Sequence, residues 1–107
     1  MRPSGAAPVF AALGDETRLG LVARLSVEGP LSIVRLTDGA RISRQAITKH
    51  LGALSAAGLV KSRRRGRERI WQLEPRRLGD ARDVLDRISA AWDDALERLR
   101  RFVEEDS

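Results

Sequence analysis

The chain has 107 residues, a hydrophobic fraction of 42% and a formal net charge of +5, which suits one domain with a modest core that oligomerisation would help to complete. It has no cysteine and one histidine, His50, so a disulfide framework, a thiolate metal site, thiol redox sensing and an intrachain multi-histidine cluster are all excluded. Residues 1–73 hold thirteen Lys/Arg against five Asp/Glu, whereas residues 74–107 hold seven against ten; the first two thirds suit a polyanion and the tail suits another task.

Residues 1–8, small and proline-punctuated, are expected to be a flexible segment. The N-terminal stretch has no apolar run long enough for a signal peptide or a membrane span, which makes the cytoplasm the default compartment. Val9 to Gly14 reads as a first helix with Val9, Phe10 and Leu13 on one face. Asp15 caps a second helix, ETRLGLVARLS, with Leu19, Val22 and Leu25 at three-residue spacing and Leu21 beside them. Gly20 inside it reads either as a tolerated cost of roughly 1 kcal/mol relative to alanine or as a close helix crossing. Gly29-Pro30 stops that helix, and LSIVRLTDGA forms a short one with Ser32 near its start and Ile33 and Leu36 packed.

The next helix organises the chain. In SRQAITKHLGALSAAGLV, Ser43 is a good N-cap and Gly58 suits the left-handed position that closes a helix, with Leu59 folding back over the last turn. Ala46, Ile47, His50, Leu51 and Leu54 fall near one side of the helical period, while Arg44, Gln45, Thr48 and Lys49 crowd the other. One face packs and the other is free to touch phosphates or base edges in a major groove. Two helices separated by a short Gly-containing break make a helix-turn-helix.

Val60 to Leu73 reads as a β-hairpin with a charged tip at Gly66. Lys61 and five arginines, Arg63, Arg64, Arg65, Arg67 and Arg69, are opposed within it only by Glu68. Such runs are usually solvated, but repulsion among so many like charges on one small hairpin favours a counterion, and a phosphate backbone is one. Alternation along the strands keeps some of these arginines off any single face.

From Arg76 onward the apolar residues Leu78, Ala81, Leu85, Ile88, Trp92, Ala95, Leu99 and Phe102 alternate three and four apart, with Val84, Leu96 and Val103 widening the stripe. The pattern predicts a long amphipathic helix over residues 78–105, with a break near Leu78 to Asp80. A single stripe could pack entirely on its own domain, but a domain this small would struggle to cover it all, so a homodimer is expected, with Trp92 as anchor. Phe10, Leu85, Ile88, Leu96, Leu99 and Phe102 are the other candidate dimer residues. Neither Trp71 nor Trp92 has converging polar groups nearby in sequence to make a cofactor site.

These residues together resemble the ArsR-type winged helix-turn-helix transcriptional regulators of bacteria, from FAALGDETRLGLVARLS through ISRQAITKHLGALSAAGLVKSRRRGRERIWQLEP to ISAAWDDALERLRRFVEE. The resemblance implies a mainly α fold with a small β-hairpin wing, dimeric through its terminal helices. It implies a recognition helix over residues 43–57 and a wing over residues 60–73. It further implies a homodimeric, sequence-specific repressor that places two recognition helices on an inverted-repeat operator in double-stranded DNA.

Carried onto this sequence, the DNA-facing residues are Ser43, Arg44, Gln45, Thr48, Lys49 and His50, with Arg63, Arg64, Arg65, Arg67 and Arg69 as wing candidates. Gln45 and Arg44 suit base edges, and Lys49 and the wing arginines suit phosphate. Ser43 can cap the helix and offer its hydroxyl near a phosphate. His50 either touches a phosphate or packs at the helix margin with a hydrogen bond inside the domain.

The metal sensors of the family place cysteines in the helix before the recognition helix, where this chain has LSIVRLTDG, or histidines in the last helix, where it has none. No metal, cofactor or catalytic residue is therefore expected, and the sequence names no inducer. The competing reading is a winged-helix adaptor that binds a protein or nucleic acid without sequence preference.

Overall fold

A computed structural model describes residues 6–105. The chain runs α1 (Ala7–Leu13), α2 (Glu16–Glu28), β1 (Leu31–Ser32), α3 (Ile33–Thr37), α4 (Arg44–Ala56), β2 (Val60–Arg65), β3 (Glu68–Leu73) and α5 (Pro75–Glu105). This is a mainly helical fold with a small β-hairpin, the winged helix-turn-helix arrangement that the resemblance implies.

Of the residues expected to be loose, 1–5 lie outside the described residues, but Ala6 is buried and Ala7 and Pro8 begin α1. Proline belongs in a first turn because its missing N–H would have no helical partner there. Asp15 is extended, and its carboxylate accepts the Arg18 backbone N–H at 3.0 Å. In α2 the buried residues are Leu21, Val22 and Leu25, whereas Leu19, expected on the same face, is 53% exposed. The core covers an arc centred on Leu21, Val22 and Leu25, and Leu19 lies past its edge. The close-crossing reading of Gly20 also fails, since a Cβ there would meet no atom within 4 Å.

Ser32 ends β1 and caps α3 through its hydroxyl, which accepts from the Arg35 N–H at 3.2 Å. The strand itself is an addition to the elements expected: Leu31 pairs with Trp71 and Ser32 with Ile70 on β3, giving a sheet of order β1-β3-β2. The hairpin turns through Gly66 and Arg67 between the paired Arg65 and Glu68. Gly66 has φ +64° and Arg67 has no positive φ, the pattern of a two-residue turn with glycine first.

The core is one cluster in which Leu36, Ile47, Leu51, Leu54, Leu59 and Val9 are the most fully buried large side chains, with Trp71 closing it from the sheet. α1 packs against α2, α4 and α5.

α5 is continuous from Pro75, so it starts three residues earlier than expected and shows no break at Gly79. At 31 residues it spans roughly 46 Å at 1.5 Å per residue. Ala81 is its one buried residue, and Leu78 packs partly against the core.

Candidate nucleic-acid interface

The start and stop of α4 are local. Ser43 Oγ accepts the Ala46 N–H at 3.1 Å. At the other end, Gly58 has φ +77°. Its N–H donates to Ser55 O at 2.9 Å, and the Leu59 N–H donates to Leu54 O at 3.0 Å, which satisfies two of the last carbonyls. Leu54 and Leu59 are both fully buried, so this closure also inserts an apolar pair into the core.

With Ile47, Leu51 and Leu54 buried, the opposite face is fixed outward: Arg44, Gln45, Thr48 and Lys49 are all exposed. Thr48 Oγ1 donates to Arg44 O at 2.9 Å, so its proton serves the helix and its oxygen remains as an acceptor.

His50 is turned away from that face. Its ring is half-buried, with Nδ1 3.5 Å from an Arg18 guanidinium nitrogen and 4.0 Å from an Asp15 carboxylate oxygen. The same Arg18 donates from Nε to Ala12 O at 2.6 Å, at the end of α1. Of the two readings of His50, the structure places the ring where the internal one puts it, because the helix period carries residue 50 toward the packing side with Ile47 and Leu54. The Arg18 N–H holds the Asp15 carboxyl below its ordinary value, and the charges of Arg18 and His50 add to the effect. Arg18 was not among the residues singled out from sequence; its partners are six and thirty-two residues away, and no local pattern announces them.

On the wing, residues directly opposite across antiparallel strands share a face. Arg64 pairs with Arg69, and Arg63 pairs with Ile70 and Arg65 with Glu68. Arg64 and Arg69 therefore share the side that carries Trp71 nearer the core, Arg63 and Arg65 lie on the other, and Arg67 is in the turn. Arg69 donates to Ser62 Oγ at 2.7 Å. Lys61, at the base, pairs with Glu74 at 3.2 Å and holds that carboxyl below its ordinary value.

Charge pairing separates the surface into two regions. Along α5, Arg77 pairs with Asp80, Arg82 with Asp86, Arg100 with Glu97 and Glu104, and Arg101 with Glu97. Among the described residues, no ion pair is made by Arg44 and Lys49 of α4 or by Arg63, Arg64, Arg65 and Arg67 of the wing. An unspent cation beside an exposed helix is a phosphate ligand in waiting.

The family described as a helix-turn-helix domain matches residues 13–63, which run from the end of α1 into the wing. The chain is 38% identical over 93 residues to the HTH-type transcriptional regulator Rv2034 of Mycobacterium tuberculosis, covering 87% of this chain and 83% of the relative. This chain belongs to the ArsR family of winged helix-turn-helix transcriptional regulators. It is thus a DNA-binding regulator and not an enzyme.

Two further likenesses agree. The arsenical resistance operon repressor of Escherichia coli is 33% identical over 95 residues, covering 89% of this chain and 79% of that protein. An ArsR-like transcriptional regulator from Rhodococcus sp. RHA1 superposes with a TM-score of 0.76 at 39% identity, covering 92% of each chain. Among the described residues, no helix is long and apolar enough to cross a membrane.

Proposed function

We propose that this ArsR-family regulator is a cytoplasmic repressor that occupies a promoter as a homodimer on an inverted-repeat operator, with one α4 in each of two major-groove faces and the wings on flanking phosphate or in the minor groove. The observation that carries this reading is the outward face of α4, where Arg44, Gln45, Thr48 and Lys49 stand exposed over a fully buried Ile47, Leu51 and Leu54, together with wing arginines that make no ion pair among the described residues.

Gln45 is the leading base reader, because its amide can pair with both edge groups of an adenine. Lys49 and the wing arginines neutralise phosphate, and Ser43 keeps a hydroxyl proton free to donate to one. His50 acts through its contacts with α2.

Two observations support the homodimer. From Leu85 onward the apolar stripe of α5 stays largely open to solvent: Leu85 is 53% exposed and Trp92 65%. Phe10 of α1, on a helix that packs against α5, is partly exposed as well. Repression comes to this chain from the E. coli relative's name. Arsenic does not follow from it, since the chain has no thiolate to bind it.

The deciding experiment is selection of bound duplexes from a random library by the purified protein at near-physiological salt. The expected result is an inverted repeat with half-sites about one helical turn apart. Recovery of unrelated sequences by a folded preparation would instead support the adaptor reading.

A further inference from the structure

A groove of about 360 Å³ lies between α3 and the first turn of α4, lined by Val34, Arg35, Thr37, Asp38, Gly39 and Arg44. Arg35 comes from the shorter helix and was not among the residues singled out from sequence, yet it shares this concavity with Arg44. Neither guanidinium makes an ion pair among the described residues. Thr37 spends its hydroxyl proton on Ile33 O at 2.6 Å. Two exposed cations thus share one groove with a single carboxylate, Asp38, which leaves it with excess positive charge that suits an anion entering from outside.

Shape identifies the anion. A duplex presents its base edges on the floor of the major groove and its phosphates on the ridges beside it. The protruding face of α4 matches the floor, and a hollow next to the start of α4 matches the ridge. Gln45 is the next residue along α4 but lines no part of the hollow.

We propose that a backbone phosphate of the bound duplex sits in the α3–α4 groove between Arg35 and Arg44, so that Arg44 positions the recognition helix instead of reading a base. The inference rests on the DNA-binding reading above. It makes α3 a second contact element and leaves base discrimination at this end of α4 to Gln45.

The test measures affinity across a range of salt for the parent protein and for Arg35→Gln, Arg44→Gln and Arg82→Gln, each on the selected operator and on a panel varied one base pair at a time. Releasing one phosphate contact lowers the slope of log affinity against log salt by about 0.9. Because the two arginines share one phosphate, Arg35→Gln and Arg44→Gln are each expected to lower it by no more than that amount and to weaken every duplex in the panel by the same factor, leaving the pattern of base preference as it was. Arg82→Gln, which removes an equal charge from α5, is expected to leave the slope in place.

An unchanged slope for Arg35→Gln, a slope lost equally by Arg82→Gln, or a preference altered at one base position by Arg44→Gln would each overturn the proposal while leaving the regulator reading intact. A folded parent protein that binds no duplex would overturn both. Thermal melts of the variants, expected to match the parent, keep loss of binding separate from loss of fold.

Discussion

α4 and α5 are both amphipathic helices, and they solve the problem of an apolar face in opposite ways. α4 has 13 residues, and its apolar side is finished inside one chain, with Ile47, Leu51 and Leu54 at 2% exposure or less. α5 has 31 residues with only Ala81 buried, and its stripe from Leu85 to Phe102 is open. Charge runs the other way: α5 pairs many of its cations with its own carboxylates three and four residues off, whereas Arg44 and Lys49 of α4 make no ion pair among the described residues. A helix that keeps its charges for a partner must be anchored by apolar contacts, and a helix that keeps its apolar face for a partner must satisfy its charges alone. The two helices therefore separate the surface proposed for DNA from the surface proposed for a second copy of the chain.

The largest way to break this contrast is at the α4 anchor. Leu51→Ala removes a side chain with no exposure and should cost about 2–5 kcal/mol, seen as a lower denaturant midpoint and as lost DNA binding. Trp92→Ala should leave that midpoint of the separated chain almost unmoved while weakening self-association by about 2 kcal/mol or more. Sedimentation would read that shift, and an unchanged dimer would move the seam away from α5.

Gln45→Ala sharpens the polar side of the comparison. It should reduce discrimination at one base position by about 1–3 kcal/mol with no change in fold, which binding to the varied operator panel would show. Ser43→Ala should cost the fold about 1 kcal/mol by leaving the Ala46 N–H without its acceptor, and a chemical melt would measure it.

The smallest effect is that of acid. The carboxyls of Asp15, Glu74 and Glu97 are held below their ordinary values of 3.8, 4.5 and 4.5, chiefly by the Arg18 N–H, Lys61 and Arg100 respectively. A depressed folded-state value means that their contribution is complete above those ordinary values and fades as pH falls below them. Melting temperature should therefore be flat near neutrality and decline below about pH 4.5. All three carboxyls are only partly covered and still reached by solvent, so the decline should be shallow.

The parts of the fold legible in the sequence were those governed by neighbours in the chain. Ser43 and Gly58 bracket α4 through bonds to residues three to five positions away, and Gly66 marks the hairpin turn in the same way. β1 was not legible: two residues carry no period, and Leu31 finds its partner at Trp71, forty positions on. The expected break at Gly79 did not occur, because one glycine costs a helix about 1 kcal/mol and Ala81 and Leu78, packed on the core, hold the turn around it.

The site divides along the same line. The outward set Arg44, Gln45, Thr48 and Lys49 follows from helical period alone. The contacts of His50 with Arg18 and Asp15, and the shared groove lined by Arg35 and Arg44, depend on how separate helices cross, and periodicity within one segment does not contain that.

Only Glu74 stands between the end of β3 and Pro75, and its N–H is bonded to Leu59 O at 2.8 Å. The wing, the close of α4 and the start of the long helix are thereby joined with no slack. A residue inserted after Ala81 would turn everything beyond it by about 100° and advance it by about 1.5 Å, so the open stripe would point elsewhere while each wing stayed where it was. If the proposed dimer forms through α5, the length and phase of that helix act as a ruler between the proposed seam and the proposed DNA-binding face, and changes far out on the tail would alter the spacing of sites that the tail never touches.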